Sequence, residues 1–452
     1  MILNKIKKAF LPLLALTVLI QPLSTRAEGM VFPKPSEPAA ESAILYDMDT
    51  KTVLYEKNAD LQEHPASITK ILTALVAVEH SKLNEKVVFS KEAVYKNETS
   101  TGSHIARGVG EEMTMEQCLY ALLLASANEC ADAIAEHISG TSEKFVELMN
   151  DKARSLGCTN THFSCTNGFD DDNHYTSARD MALIATAAYA NPVVKKMMGT
   201  KTYTIKPTNV HTDPTYLKNH HDMLTPYRTG KYLYKYCTGG KTGYTILAGN
   251  TLVTYAEKNG MRLVCVVLKE SAQYQKYVDT RNLFDFAFDN FKHVNSREIV
   301  KKDQSLAKVF KDQKFDELSV EAKDITCPVN ADMTKFTYDA SEEKRKKGSA
   351  EVGKAKIYYN GSEIAEVSVK NETALKKEQA ALKKKSSEKN SGKKKNYLPL
   401  ILVIVISTGL VIGLYFWSRF VPHKKFRQRK DGYREYATGN RRKNVRKRNK
   451  RQ

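Results

Sequence analysis

The segment PASITKILTALVAV, residues 65–78, decides the fold of this chain. It places Ser67 three residues before Lys70, and residues three apart on a helix share one face. Residues 71–78 are apolar apart from Thr73, which is typical of a helix buried in a large core. A lysine at the head of such a helix is costly to bury unless a site uses its amine. The segment therefore predicts a buried helix that carries a serine and a lysine side by side at its start.

Ser67 and Lys70 are residue types that can act together as a nucleophile and its base. A serine hydroxyl is a poor nucleophile at neutral pH, so it needs a base within hydrogen-bond reach and donors aimed at the oxyanion that forms. Lys70 can be that base if burial and neighbouring cations lower its pKa. The Ser-x-x-Lys motif alone is weak, because it arises by chance in many long proteins and an exposed helix start with Ser67 as N-cap is normally the better explanation.

Two further motifs favour the nucleophilic interpretation. Ser126-Ala127-Asn128 closes the apolar helical stretch 119–125, so its polar side chains come at the end of a buried segment. Lys241-Thr242-Gly243 ends the stretch 238–243, which holds three glycines and precedes the strand-like segment 251–255. Glycine in a strand permits the close approach of another backbone. The three motifs together are the signature of enzymes that acylate themselves on serine.

On these motifs the chain resembles the D-alanyl-D-alanine carboxypeptidases of the low-molecular-mass penicillin-binding protein group. The likeness covers residues 42–292 and includes segments 43–47, 53–60 and 260–264. Two positions depart from the family pattern: segment 163–169, where the family usually has Asn-Pro-His-Gly-Leu, and Ala127, where Gly is commoner. The resemblance implies an α+β fold with a β-lactamase/transpeptidase-like catalytic domain, in which helices flank an antiparallel sheet. It implies no cofactor and no metal.

The resemblance also implies residue roles. Ser67 would attack the penultimate D-Ala carbonyl of a peptidoglycan stem peptide ending D-Ala-D-Ala, with Lys70 as base and Ser126 as the proton relay to the leaving amine. The backbone N–H groups of Ser67 and Tyr244 would form the oxyanion hole, and penicillins would trap the same serine. The residues expected to bind substrate are Asn128, Lys241, Thr242, Gly243 and Tyr244.

Three alternatives stay open at this point. A β-lactamase shares the motifs but needs a deacylating glutamate, and Glu147-Leu148-Met149-Asn150 has the wrong spacing for one. A D,D-transpeptidase or endopeptidase would use the same serine with another acceptor or another bond. A non-catalytic wall-binding module is disfavoured by the intact set of motifs.

The two ends of the chain carry export and anchoring signals. Residues 1–27 have a basic start, the apolar run 9–20 and a small-residue cleavage site, which is typical of a signal peptide. Residues 397–417 contain no charge and are long enough, at about 1.5 Å per residue, to span a bilayer as one transmembrane helix. Residues 418–452 hold 15 Lys or Arg against two acidic residues, which predicts a cytoplasmic tail. The expected localisation is the cell membrane, single-pass, with the catalytic domain on the extracytoplasmic side.

The charge of the chain does not indicate nucleic-acid binding. The net charge is +20, but residues 418–452 carry +13, residues 376–395 carry +7 and residues 1–27 carry +4. The remainder is therefore near −4, an ordinary protein surface. The expected partners are the stem peptide, β-lactams and the cytoplasmic membrane.

Between these ends we expect a catalytic domain at residues 28–295 and a small β-rich domain at residues 296–372. Asn360-Gly361 separates two strand-like runs there, which is the strongest short signal for a hairpin. Residues 373–396 are rich in lysine without an apolar period and predict a solvated linker. We assign no disulfide among the seven cysteines, although the spacing of Cys158 and Cys165 allows a local bridge. No Cys or His pair has the spacing of a metal site.

Overall fold

The computed structural model describes residues 33–98, 102–301, 304–343 and 349–391. The predicted signal peptide at 1–27, transmembrane helix at 397–417 and basic tail at 418–452 lie outside the described residues. Across the described ranges, no helix combines the length and the apolar character needed to cross a membrane. Contacts group the chain into one unit that ends at Lys377 and a second that begins at Glu378.

The described residues up to 295, which the sequence predicts to be catalytic and which are called the catalytic part below, alternate strands and helices. In chain order its elements are β1 (Ser42–Asp47), β2 (Thr52–Lys57), α1 (Lys70–His80), β3 (Lys86–Val88), α2 (Lys91–Glu98), β4 (Glu112–Thr114), α3 (Met115–Tyr120), α4 (Asn128–Ser139), α5 (Ser142–Ser155), α6 (Ala178–Ala190), α7 (Pro192–Met198), β5 (Thr202–Ile205), β6 (Thr215–Lys218), β7 (Cys237–Thr245), β8 (Gly249–Lys258), β9 (Met261–Glu270), α8 (Gln275–Asn290) and β10 (Phe291–Asn295).

Five of these strands form one antiparallel sheet in the order β2-β1-β9-β8-β7. Helices cover both of its faces. Along β9, Val264 and Val266 pack into the core that contains α1, whereas Cys265 and Val267 pack into the core that contains α8. Successive side chains of a strand point to opposite faces, so a strand covered on both sides is apolar without interruption. The predicted arrangement of an antiparallel sheet between helices is observed.

Helix α1 lies in the centre of the larger core. Residues 70–77 are all buried, including the amine-bearing Lys70 and the hydroxyl-bearing Thr73. The hydroxyl of Thr73 donates to the backbone oxygen of Thr166 at 2.6 Å, which satisfies a polar group that would otherwise be costly to bury. The buried helix predicted from residues 65–78 is thus confirmed.

A second sheet follows the catalytic part. The elements of this later part of the chain are α9 (Ser296–Ile299), α10 (Gln304–Val309), β11 (Leu318–Val320), β12 (Asp324–Pro328), β13 (Phe336–Glu342), β14 (Glu351–Tyr359), β15 (Ser362–Asn371) and α11 (Glu372–Ser391). Four strands pair in the order β11-β15-β14-β13 around a separate apolar core. Asn360 and Gly361 join β14 to β15, and both have positive φ, 50° and 79°, as a tight hairpin turn requires. The lysine-rich segment predicted as a linker begins within the polar helix α11.

A polar cluster joins the catalytic part to β12, a strand that packs on the core of the second sheet through Ile325 and Cys327. Strand β10 pairs with β12, which places His293 opposite Thr326. Asp47, at the end of β1, accepts hydrogen bonds from His293 Nε2 at 2.6 Å and from Thr326 Oγ1 at 2.7 Å. Asp49 lies beside this pair, and its carboxylate accepts from Arg262 Nε at 2.6 Å. The cluster is therefore a hydrogen-bonded connection between the two parts.

The ionisation of this cluster makes the stability of the protein depend on pH. Burial disfavours the charged forms of both groups, but the hydrogen bond and attraction between them outweigh burial, so the pKa of His293 is raised and the pKa of Asp47 is lowered. A raised histidine pKa stabilises the fold below its usual value of about 6.5, and this contribution is lost as pH rises through the raised pKa. The aspartate contribution is present at higher pH and is lost only as pH falls through its lowered pKa.

We therefore expect His293→Gln, which keeps a donor but removes the charge, to lower the free energy of unfolding more at pH 5.5 than at pH 8.5. Denaturant titration of both proteins at the two pH values measures this difference. The matched control is His137→Gln, because His137 and Glu85 form a more exposed pair of the same type. If His293→Gln lowers the free energy of unfolding by the same amount at both pH values, the proposed charge coupling between His293 and Asp47 is wrong.

Candidate active site

Ser67 lies in the tight turn Ala66–Thr69 directly before α1. Ala66 has a φ of +51°, a conformation that non-glycine residues adopt with strain. Two other segments press against this turn at glycines. A Cβ at Gly168 would lie 2.0 Å from Ala66 O, and a Cβ at Gly243 would lie 2.9 Å from Ser67 N. Only glycine allows the loop 163–169 and strand β7 to come this close to the turn that carries Ser67.

Lys70 is fully buried behind Ser67. Its Nζ lies 2.9 Å from Ser67 Oγ and 2.6 Å from the backbone oxygen of Asn167. Burial lowers the pKa of Lys70 to about 7, although the nearby Cys165 thiol and the Asp132 carboxyl act in the opposite direction. The amine is therefore partly neutral near pH 7, and it lies within reach of the serine proton.

Ser126 and Lys241 form a second hydroxyl and amine pair. Helix α3 continues into a π-helical turn at Ala121–Ala125, and Ser126 ends it with a φ of +61°. Lys241 Nζ donates to Ser126 Oγ at 3.0 Å and to the backbone oxygen of Thr242 at 2.9 Å. Burial lowers the pKa of Lys241 well below its usual range, and the charge of Lys70 lowers it further. Two buried lysine amines thus lie against the two serine hydroxyls of the motifs.

A cleft of about 640 Å³ opens over these groups. Six of the predicted site residues line it: Ser67, Ser126, Asn128, Thr242, Gly243 and Tyr244. The remaining two, Lys70 and Lys241, do not line it, because each is buried behind the serine that it contacts. All eight predicted residues therefore belong to one site, on elements far apart in the chain.

The cleft also contains residues that sequence analysis missed. Lys276 lines it from α8 and donates to Asn250 Oδ1 at 3.2 Å. Burial lowers the pKa of Lys276 to about 8, and the neighbouring Arg228, which also lines the cleft, adds to this effect. No motif marks either cation, since both come from segments that resemble ordinary polar surface. Asn167 was within a segment noted for departing from the family pattern, but its contribution is a backbone carbonyl, which side-chain patterns do not reveal.

Asp132 on α4 holds the loop that supplies this carbonyl. It accepts from Thr166 Oγ1 at 2.6 Å and from Asn167 Nδ2 at 3.4 Å. Because Asn167 reaches Lys70 through its backbone, a change of side chain in the loop leaves the contact with the amine available. The departure from the family pattern at residues 163–169 therefore does not remove a partner of Lys70. The seven cysteines, Cys165 of this loop among them, are free thiols.

Comparison with known proteins places the chain in a family. Residues 30–272 match the family described as D-alanyl-D-alanine carboxypeptidase, Peptidase S11. The chain belongs to this family. It is 34% identical over 275 residues to the D-alanyl-D-alanine carboxypeptidase DacF of Bacillus subtilis. That alignment covers 60% of this chain and 67% of DacF. It is 30% identical over 270 residues to DacA of Escherichia coli, covering 58% of this chain and 64% of DacA.

Solved structures agree with this assignment. Penicillin-binding protein 5 of Haemophilus influenzae aligns with a TM-score of 0.61 at 24% identity, over 75% of this chain and 98% of that one. A mutant of the Streptomyces K15 DD-transpeptidase aligns with a TM-score of 0.52 at 29% identity, over 56% of this chain and 99% of that one. The chain is therefore a serine peptidase with the fold of penicillin-binding proteins, and the resemblance inferred from its motifs is confirmed.

Gly168 lies against the turn that carries Ser67, so a side chain at this position should disturb that turn. Gly168→Ala places a methyl group on the Ala66 carbonyl at a φ of +91°, so it should both destabilise the protein and slow acylation of Ser67 by a fluorescent penicillin. Thermal unfolding and gel fluorescence measure the two effects.

The matched control is Gly157→Ala. Gly157 has a similar φ of +87° with nothing within 4 Å of a Cβ, so this variant carries only the backbone strain of about 1 kcal/mol. Equal losses of stability in the two variants, with acylation unchanged in both, would show that the contact with Ala66 is unimportant.

Proposed function

We propose that this protein is a serine-type D-Ala-D-Ala carboxypeptidase that removes the terminal D-Ala of peptidoglycan stem peptides through an acyl-enzyme on Ser67. The contact between Lys70 Nζ and Ser67 Oγ carries the proposal, since a buried amine with a pKa of about 7 can accept the serine proton at working pH. Membership of the family supports the same activity.

In the acylation step, Ser67 Oγ attacks the carbonyl carbon of the penultimate D-Ala and passes its proton to Lys70. The oxyanion accepts hydrogen bonds from the backbone N–H groups of Ser67 and Tyr244. Collapse of this intermediate breaks the C–N bond, and the leaving D-Ala amine takes a proton from Ser126. The proton held by Lys70 replaces the one that Ser126 gave up, while Lys241 Nζ, 3.0 Å from Ser126 Oγ, orients that hydroxyl. Water then hydrolyses the ester, which releases the shortened peptide and restores Ser67.

Positive charge near the cleft explains the choice of a C-terminal residue. Thr242 lines the cleft, and its hydroxyl is proposed to bind the terminal carboxylate, whose negative charge would favour the protonated form of Lys241 behind it. Lys276 and Arg228 line the same cleft and add to the positive potential. Asn128 is proposed to hold the peptide amide on the opposite wall.

Deacylation distinguishes this proposal from a β-lactamase. Among the described residues that line the cleft there is no aspartate or glutamate to activate water at the acyl group. Glu147 lies exposed in α5, away from the lining residues. The D-Ala product leaves the cleft and admits water, whereas the opened β-lactam ring stays attached to its ester. A β-lactam acyl-enzyme should therefore persist, which makes β-lactams covalent inhibitors. The same serine could pass its acyl group to an amine, as the transpeptidase alternative requires, and product analysis decides between the two acceptors.

We further propose that the protein works outside the cytoplasmic membrane. The signal peptide at 1–27, the uncharged segment 397–417 and the basic tail 418–452 support a single anchor with the catalytic domain outside. Residues 296–372 are proposed as a β-rich domain that spaces the site from the membrane. The alignment with penicillin-binding protein 5 supports a second domain at this place in the fold, because 75% of the chain is more than residues 1–295 can supply. Deleting residues 397–452 should move the protein, still able to bind penicillin, into the soluble fraction of wall-stripped cells.

The nucleophile can be tested directly. After incubation with penicillin, mass spectrometry of the purified protein should locate one adduct on the peptide that contains Ser67, and Ser67→Ala should carry none. With an acyl tripeptide ending in D-Ala-D-Ala, the wild type should release free D-Ala. An adduct on Ser126 would overturn the assignment, and a mixed amide as the main product in the presence of an amine acceptor would favour transpeptidation.

The base can be tested through pH. Acylation requires neutral Lys70, so its rate should rise with pH through about 7 and then level off. Lys70→Arg keeps the charge, but its pKa above about 12 prevents proton loss, so acylation should fall by roughly two to four orders of magnitude. Lys152→Arg on the surface is the matched control. Near-normal acylation by Lys70→Arg would move the base to another group.

A further inference from the structure

A buried side chain binds the carbonyl of the peptide bond between Ala66 and Ser67. The hydroxyl of Thr69, which is fully buried, donates to Ala66 O at 2.9 Å. The C=O and N–H of a trans peptide point in opposite directions from one plane. A hydrogen bond that fixes the Ala66 carbonyl therefore also fixes the direction of the Ser67 N–H, one of the two donors proposed for the oxyanion.

This hydrogen bond is needed because the peptide is not in a relaxed conformation. Ala66 has a φ of +51°, and an alanine has no glycine-like freedom to hold that conformation by itself. Gly168 passes close to the same carbonyl but adds no side-chain donor. The hydroxyl of Thr69 is the side-chain donor that the described residues supply to Ala66 O.

His174 determines which way the hydroxyl of Thr69 points. The N–H of Ser164 donates to His174 Nδ1 at 3.0 Å, so in the neutral ring the proton is on Nε2. His174 Nε2 lies 2.9 Å from Thr69 Oγ1 and donates to it. The hydroxyl oxygen accepts from the histidine, which leaves its own hydrogen for Ala66 O. Burial lowers the pKa of His174 to about 3, so the ring stays neutral and this order of donors holds throughout the working range.

We propose that Thr69 and His174 are positioning residues that aim the Ser67 N–H at the developing oxyanion through the Ala66 carbonyl. Neither residue touches the reacting atoms, and neither lines the cleft. The inference rests on the proposed function, because it assigns a role within the acylation of Ser67. It explains why a polar side chain precedes Lys70 in an otherwise apolar region, and why a histidine is buried below the loop that supplies Asn167.

The experiment compares Thr69→Val, which keeps the shape and removes the hydroxyl, with Thr69→Ser, which keeps the hydroxyl. Each protein is acylated with a penicillin labelled with carbon-13 at its β-lactam carbonyl, and the ester band is recorded by infrared difference spectroscopy. Hydrogen bonds in an oxyanion hole lower the stretching frequency of an ester carbonyl. A purely structural role would change thermal stability without moving this band.

We expect Thr69→Val to show the ester band at higher frequency, with acylation slowed by roughly 10- to 100-fold, less than the loss expected for removing an oxyanion donor outright. Thr69→Ser should match the wild type in both measurements. His174→Asn keeps an acceptor for the Ser164 N–H and removes the donor to Thr69, so it should shift the band in the same direction by a smaller amount. If Thr69→Val does not fold, His174→Asn decides the question by the same two measurements.

The outcomes separate the two proposals. A wild-type protein that forms no ester on Ser67 overturns the proposed function and this inference with it. A wild type that forms the ester, with an unchanged band and an acylation rate within about twofold in both Thr69→Val and His174→Asn, overturns only the positioning role.

Discussion

The removal of the Lys70 amine from water is the constraint on which the catalytic part of this protein depends. An ammonium group in an apolar core is strongly disfavoured, so the group shifts its pKa and becomes a base near neutral pH. The surroundings hold the amine in place without restoring bulk solvation. Asn167 offers one backbone carbonyl and Ser67 one hydroxyl, which is enough to orient the amine.

The rest of the site is arranged around this buried base by backbone geometry more than by side chains. The loop carrying Asn167 reaches Lys70 because Gly168 can pass the Ala66 carbonyl, and β7 reaches Ser67 because Gly243 can pass its N–H. Ala66 and Ser126 both have positive φ, so strained turns present the two serine hydroxyls that are proposed to act in catalysis. Asp132 and the pair Thr69 and His174 supply the hydrogen bonds that keep these turns and loops in position.

The second sheet adds a structural dependence of another kind. Its own core is apolar, but its connection to the catalytic part includes the buried Asp47 carboxylate with His293 and Thr326. A buried ion pair of this type favours one placement of the strands that it joins, because its hydrogen bonds are satisfied only in that placement. The hydrogen bonds therefore link β12, which packs on the core of the second sheet, to the end of β1, in the same sheet that carries β7.

The sequence by itself determined the chemistry and the elements that carry it. The apolar run that follows Ser67 and Lys70 favours a buried helix, and burial at the start of such a helix lowers the pKa of a lysine. The order of the Ser126 and Lys241 motifs then specified the family, and with it the antiparallel sheet between helices. Asn360-Gly361 specified a hairpin, because two adjacent residues with positive φ favour one kind of turn.

Tertiary structure alone decided how these groups meet. Lys241 follows a glycine-rich stretch and was expected to face substrate, yet the fold buries its amine against Ser126. The part played by Asn167 is a main-chain oxygen, and that of Gly168 is the absence of a side chain, so neither leaves a pattern in the residue types. Lys276, Arg228, Asp132 and His174 come from segments with no local signal. Their roles arise from contacts between residues distant in the chain, which periodicity and motif spacing do not encode because both describe only neighbours along the backbone.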